Sequence, residues 1–411
     1  MVVASDGPTG LTLRSFRLKN FKAVRDSGEV RFTPITVFIG QNGSGKSSLI
    51  EGLLTYQSFL LSNLDQAMQI WKGYEYIHNP PIVIRNGIER IIAPEPMEFT
   101  LKLRAEEGGT AFVQVRLDAS SNLDNVFIVE EKVNIRSNRL IHRHKEGRVQ
   151  LVKEEINIDL LSDISVLSPY VVGGLYSLFP GDPTPLDLLE LQSLSGHIAD
   201  WQFIALNPSA MMQPRPRVRS GNRIRLNSDG SNIAEYLLDI RQRSPEAFDG
   251  IIETMQYVLP YAKDIEPALT AELERTVYLQ MAEENFKIPA WLMSTGTLRV
   301  LAILALLRDP DPPPLIAIEE IENGLDPRTI HLIVEELRAA TENDLTQVII
   351  TTHSPYLLDL MALSQVVVVE RKNGETSFSR PADQHSLDKW AEEFSPGQLY
   401  TMSRLNSRSS A

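Results

Sequence analysis

The sequence contains no cysteine among its 411 residues. Disulfides and thiolate metal sites are therefore excluded, and a cytosolic setting fits. Long hydrophobic runs are also missing. The longest apolar stretch lies near Val300–Leu307, too short to cross a bilayer, so no membrane association is expected. The first residues, Met1-Val2-Val3-Ala4-Ser5-Asp6-Gly7, lack the basic region and apolar core of a secretory signal. The cytoplasm is the expected location. Positive charge is in deficit, with 40 Lys and Arg against 53 Asp and Glu and a net charge of -13. That argues against wholesale coating of nucleic acid and leaves room only for a local basic patch. There is no internal repeat, sustained heptad or low-complexity tract. Hydrophobic content of 43% and charged content of 23% are ordinary for a globular protein, and the length calls for two or three lobes.

What the chain does have is Gly40-Gln41-Asn42-Gly43-Ser44-Gly45-Lys46-Ser47-Ser48, which fits the phosphate-loop pattern G-x-x-x-x-G-K-[ST]. Before it, Ile35–Ile39 reads as a buried strand. After it, Ser48–Leu54 reads as a helix start. Glycines let backbone N–H groups turn inward around an anion, and the helix N-terminus adds partial positive charge. Lys46 would reach the β- and γ-phosphates of a bound nucleotide, and the Ser47 hydroxyl would face Mg²⁺.

Upstream, Leu11–Lys19 alternates as a half-exposed strand and Glu29–Phe32 as a second, so a small antiparallel sheet is expected to lead into the loop. Tyr74–Arg90 reads as loop. Met97–Arg104, Thr110–Leu117, Val126–Ile135 and Arg148–Ile158 read as a β meander inserted into the nucleotide domain. From Leu160 the pattern is helical, with loops at Phe179–Pro185 and Asn207–Asn222. Helices are expected at Ser231–Arg241, Ala247–Leu259 and Ala268–Leu273, and a strand at Thr276–Met281. Thr297–Leu307 reads as a helix buried all round, and Asp309–Pro314 as a stiff spacer. Alternation then resumes: strand Leu315–Ile318, helix Pro327–Ala340, strand Val348–Thr352, helix Pro355–Ala362, strand Val366–Glu370. This calls for a parallel sheet covered by helices. The expected division is 1–64 and 276–400 for the ATPase core, 65–159 for the β-rich insertion, 160–275 for a helical lobe and 401–411 for a flexible tail.

A phosphate loop alone names no reaction. Glu319-Glu320 follow the apolar Leu315–Ile318, where one carboxylate can serve the Mg²⁺ shell and the other polarise a water. Thr351-Thr352-His353-Ser354 ends the next strand, where a histidine can donate to a γ-phosphate; a lone loop histidine is more often structural. Ser294-Thr295-Gly296-Thr297 precedes the buried helix and reads as a helix cap or as an exposed set of N–H donors. Ile141-His142-Arg143-His144-Lys145 reads as an exposed hairpin tip, not a metal site.

In this order the motifs resemble the ABC-type ATPase heads of the SMC, RecF and OLD group. Glu319–Pro327, Thr351–Pro355 and Leu292–Leu301 resemble the stand-alone AAA-21 ATPases. The resemblance implies an α/β P-loop NTPase with an inserted antiparallel β subdomain and a helical lobe. It implies ATP held by Gly40, Asn42, Gly43, Ser44, Gly45, Lys46, Ser47 and Ser48. Ser47 and Glu319 would bind Mg²⁺, Glu320 would be the general base and His353 the switch histidine. Ser294 and Gly296 would touch the γ-phosphate of a second subunit's nucleotide, and Asp326 would lie in the loop crossing between subunits. Thr295 departs from the usual signature, and Glu319 stands where most ABC proteins have Asp.

The resemblance further implies a homodimer and a separate effector (Toprim-like, nuclease or toxin), because many such proteins serve anti-phage defence. Alternatives are a slowly hydrolysing, nucleotide-locked scaffold and a RecF-type DNA-repair ATPase. OLD-type chains continue into a Toprim domain; this one ends soon after its last strand, so nuclease activity in cis is not expected. Arg215, Arg217, Arg219, Arg223 and Arg225 form a basic loop that either meets nucleic-acid phosphates or balances nearby acids.

Overall fold

A computed structural model describes residues 10–79, 82–85, 88–91, 95–105, 109–120, 125–136, 138–143, 148–151, 154–157, 163–175, 186–217, 223–270, 276–283, 286–342, 345–372, 374–384 and 387–405. The Phe179–Pro185 loop, Arg219 and the tail beyond Leu405 lie outside them. The chain divides into two units. One comprises Met1–Trp201, Ser364–His385 and Asn406–Ala411, and the other Gln202–Leu363 and Ser386–Leu405. Among the described residues, no helix is long and apolar enough to cross a membrane.

In the first unit, the expected small entry sheet and the β meander are one sheet of nine strands among the described residues. Leu11–Phe21 pairs antiparallel with Met97–Ala105 along nearly its whole length, Leu11 opposite Ala105 and Lys19 opposite Glu98. Both strands alternate, so Leu13, Phe16 and Leu18 share a buried face with Met97, Phe99, Leu101 and Leu103. The Lys46–Leu61 helix packs on that face so closely that a Cβ on Gly52 would meet Leu18 Cδ2 at 2.6 Å. Tyr56, Phe59 and Phe99 lock the contact, with ring centroids 5.0 Å apart for Tyr56–Phe59 and 5.6 Å for Phe59–Phe99. The Ile35–Ile39 strand is buried at every residue and pairs in parallel with Val366–Lys372, which turns back into Glu375–Ser379.

Three short expectations fail here. Tyr74–Arg90 contains a hairpin, Ile82–Arg85 with Ile88–Ile91. Arg148–Ile158 is two strands, Arg148–Leu151 and Glu154–Asn157. Arg143 is no exposed tip: it is buried, 3.6 Å from the buried Glu131 carboxylate, and donates to Ile164 O at 2.7 Å. His144 and Lys145 lie outside the described residues.

In the second unit, Gln202–Ile204, Leu315–Ile318 and Gln347–Thr352 lie side by side and parallel. The last two are buried throughout, as strands covered on both faces must be. The Thr295–Leu307 helix is buried from Val300 to Leu307, and the Pro327–Thr341 helix buries one stripe. A small antiparallel sheet runs Arg215–Pro216, Thr276–Ala282, Asp264–Leu269, with Lys287–Pro289 on Thr276–Ala282. Ala268 and Leu269 therefore end a strand and do not start a helix, opposite Tyr278 and Val277. Pairing overrides local preference, and Pro267 is tolerated because the strand is an edge.

The stiff spacer begins with a fully buried carboxylate. Asp309 accepts from Tyr236 Oη at 2.6 Å and Arg243 Nη2 at 3.1 Å, and pairs with Arg223 Nη2 at 3.1 Å. Asp309→Ala should leave the buried Tyr236 phenol without its acceptor and take one carboxylate from each of two guanidinium groups, which keep Asp311 and Asp239. Urea unfolding is expected to report a loss of about 3–5 kcal/mol.

Candidate active site

In the first unit, the buried strand Ile35–Ile39 opens into a turn closed by Ser44 N–H donating to Gln41 O at 3.2 Å. Gly45 takes the N-cap position at φ 105, a conformation side chains resist, and no side chain caps the helix. The start of a helix of this kind suits an anion. Gln41, Asn42 and Gly43 are exposed, Ser47 is half-buried, and Ser44, Lys46 and Ser48 are buried. Lys46 Nζ donates to Gly40 O at 2.8 Å and Gln41 O at 3.0 Å, which holds the ammonium over the loop.

A residue the sequence did not reveal clasps this loop. Thr376 is buried; its Oγ1 lies 3.0 Å from Ser44 O and 2.9 Å from Ala23 O, and donates to them. A Cβ on Gly45 would meet Thr376 atoms at 2.8 Å. No local signal links positions 332 residues apart.

In the second unit, the Leu315–Ile318 strand delivers Glu319, half-buried, whose N–H donates to Ile204 O at 3.0 Å. Glu320 follows in the left-handed region at φ 48, rare for a side chain and a form of strain common at functional sites. Its N–H donates to Thr351 Oγ1 at 2.9 Å, and Asn323 N–H donates to its carbonyl at 2.9 Å. Its carboxylate is 52% exposed, with Oε1 3.9 Å from His353 Nε2. The structure thus brings Glu320 and His353 together, as the motif order implies. Glu322, two residues after Glu320, accepts from His353 N–H through its Oε1 at 2.6 Å.

Ser294 is the N-cap of the Thr295–Leu307 helix: its Oγ accepts from Thr297 N–H at 3.0 Å. Ser294 and Thr295 are nonetheless exposed at the tip of a helix that is otherwise largely buried. Gly296 packs against the carboxylate turn, where a Cβ would lie 2.7 Å from Gly324 O. Arg299 lies beside Gly324; burial pulls its guanidinium below the ordinary value, opposed by the Glu320 charge. Asp326 caps the Pro327–Thr341 helix, accepting from Thr329 Oγ1 at 2.5 Å, Arg328 N–H at 2.9 Å and Thr329 N–H at 3.2 Å. The Thr329 hydroxyl first, then the backbone donors, hold its carboxyl below the ordinary carboxylate range.

The basic loop is partly neutralised. Arg223 pairs with Asp309 and Asp311, and Arg225 donates to Asp311 O at 3.5 Å. Arg215 is exposed in the small sheet and Arg217 half-buried.

A glycine loop on an uncapped helix, with paired acids and a histidine at strand ends, defines a P-loop NTPase of the ABC-type head class. A family model described as "AAA domain, putative AbiEii toxin, Type IV TA system" matches residues 35–359. The chain belongs to this AAA_21 family. It is similar to an "ATP/GTP phosphatase" of Helicobacter pylori, 21% identical over 363 residues, 86% of this chain and 88% of that one. Over 72 residues, 17% of this chain and 5% of the other, it is 35% identical to Structural maintenance of chromosomes protein 1 of Caenorhabditis elegans. Its fold is similar to that of an Smc head crystallised with the C-winged helix domain of ScpA, at TM-score 0.55 and 12% identity over 92% of this chain and 99% of that one.

Thr376→Val keeps the packing but removes the donor to the loop. Affinity for ATP, measured by fluorescent-nucleotide titration, should fall about fivefold, the worth of one net hydrogen bond.

Proposed function

We propose that this protein hydrolyses ATP as a head-to-tail homodimer, and that its nucleotide state controls a separate effector in bacterial defence. The observation carrying the reading is the Glu320–His353 pair, 3.9 Å apart at the ends of two buried parallel strands. A carboxylate there can draw a proton from water while the imidazole donates to the γ-phosphate. Lys46 and the loop amides hold the phosphates, a pairing taken from the family, whose model runs from 35 to 359 and so spans both sets of motifs.

By the family likeness, the Ser47 hydroxyl and the Glu319 carboxylate would each offer an oxygen to Mg²⁺. Among the described residues no group of three or more His, Asp or Glu could hold a metal alone. When bound, Mg²⁺ neutralises charge on the phosphates.

The exposed Ser294 at the tip of the Thr295–Leu307 helix supports the dimer, since a second subunit's γ-phosphate can reach it. The family description, which names a toxin–antitoxin system, supports the effector. With Arg223 and Arg225 engaged by the Asp309–Asp311 segment, no observation favours DNA as the primary partner.

Lys46→Ala should abolish ATP binding. Glu320→Gln should keep binding and lower hydrolysis by at least roughly 100-fold. ATP turnover per molecule should rise with protein concentration. Ser294→Asp preserves a helix cap but sets a negative charge against the second subunit's phosphate, so it should remove that rise. A rate per molecule independent of dilution would overturn the dimer. An effector that acts unchanged beside Glu320→Gln would overturn control by turnover.

A further inference from the structure

We propose that Glu322 is a positioning residue, fastening the His353 main chain to the Glu320 turn and so setting the reach between imidazole and carboxylate. This rests on the roles of Glu320 and His353 proposed above.

The turn after Leu315–Ile318 is joined to the end of Gln347–Thr352 at three points. Glu320 N–H donates to Thr351 Oγ1 at 2.9 Å, and Ile321 N–H to Thr351 O at 3.4 Å. The third is His353 N–H donating to Glu322 Oε1 at 2.6 Å. Only the third reaches past the strand to the residue that carries the imidazole. It is also the only one with a charged acceptor, and such bonds are short and about twice as strong as neutral ones.

A plain structural tie at this place has no need of a carboxylate. The helix that follows has its own cap, Leu357 N–H donating to Ser354 Oγ at 3.3 Å. Ser354 N–H is satisfied by Thr352 Oγ1 at 3.0 Å. Meanwhile Glu322 Oε2 is buried with no hydrogen-bond partner among the described residues. Burying an oxygen of a charged group unsatisfied costs stability, so a cheaper side chain would serve a purely structural role better.

The distance being set is a sensitive one. At 3.9 Å, His353 Nε2 and Glu320 Oε1 are beyond hydrogen-bond reach, yet a shift of about 1 Å would close the gap. Glu322 sits two residues from the proposed base and holds the backbone of the proposed sensor, so it controls that gap directly.

The test is a double-mutant cycle on the full chain. Glu322→Ala should lower kcat for ATP roughly 10- to 100-fold, leaving KM and the melting temperature nearly unchanged. In a His353→Ala background the same change should cost less than about threefold, because Glu322 acts through His353. Glu322→Gln, which keeps an acceptor, should restore most of the rate. Exchange of the His353 amide, read by NMR or mass spectrometry, should quicken in Glu322→Ala but not in Glu322→Gln. If the alanine variant does not fold, Glu322→Met fills similar volume without an acceptor and carries the same comparison.

An equal cost with and without His353, a raised KM at constant kcat, or unchanged amide exchange would each overturn the proposal. Failure of the underlying reading looks different: Glu320→Gln or His353→Ala alone would then turn over ATP at the wild-type rate. The exchange arm would still decide whether the link exists, and a lost link with no effect on kcat would overturn the positioning role.

Discussion

Glu319, Glu320 and His353 stand just past the ends of strands that are buried along their length and carry no charged residue. Ile35–Ile39, Leu315–Ile318 and Gln347–Thr352 are each buried at every residue. A strand covered on both faces has no side on which to carry a charged group cheaply. The first place such a group can stand is the residue just past the carboxyl end. Gly40 begins the loop there, Glu319 and Glu320 follow there, and His353 stands there. Burial therefore does more than stabilise: it fixes where the chemistry can be.

That constraint is also why these positions were legible. A run of four to six mostly apolar residues without a charge, broken by glycines, acids or a histidine, is a local pattern, and each motif is contiguous. What was not legible depends on pairing between distant segments. Nothing near Leu11 says that it will meet Ala105, so one sheet reads as two. Nothing near Thr376 says that its hydroxyl will hold Ser44 O. Ala268 and Leu269 look helical until Tyr278 and Val277 lie opposite. The basic loop reads either as a phosphate contact or as a balance to nearby acids, and the sequence does not say which acids; Asp309 and Asp311, in a spacer read only for its prolines, engage Arg223. Glu322 lay in plain sight within Glu-Glu-Ile-Glu, but its bond to His353 is formed across a turn that sequence does not display.

The signature segment shows how a single residue type can answer two demands. Read locally, Gly296 bares N–H groups for a phosphate. In the structure it also lets the Thr295–Leu307 helix approach the turn after Glu320, since any Cβ would press on Gly324 O at 2.7 Å. Gly324 is itself left-handed at φ 76, and Arg299, one turn along the helix, lies against it. The exposed tip of the helix and the turn that bears Glu320 are thus backbone to backbone, with no side chain between them to absorb a displacement. Packed interfaces of this kind shift as units.

Such coupling has value only if the turn itself is stiff, and its strain is the evidence that it is. A left-handed glutamate costs on the order of 1–3 kcal/mol and persists only where its surroundings over-determine it. Here the surroundings do. The Glu320 N–H is taken by Thr351 Oγ1, its carbonyl accepts from Asn323, and Ile321 beside it is buried to 2% exposure. The main chain is held on both sides while the carboxylate stays open to water. A relaxed extended residue at this position would send its side chain elsewhere. The Glu320 carboxylate stands 3.9 Å from His353 and accepts from the Asn323 side-chain amide at 3.3 Å, so both its main chain and its side chain are held within this one turn.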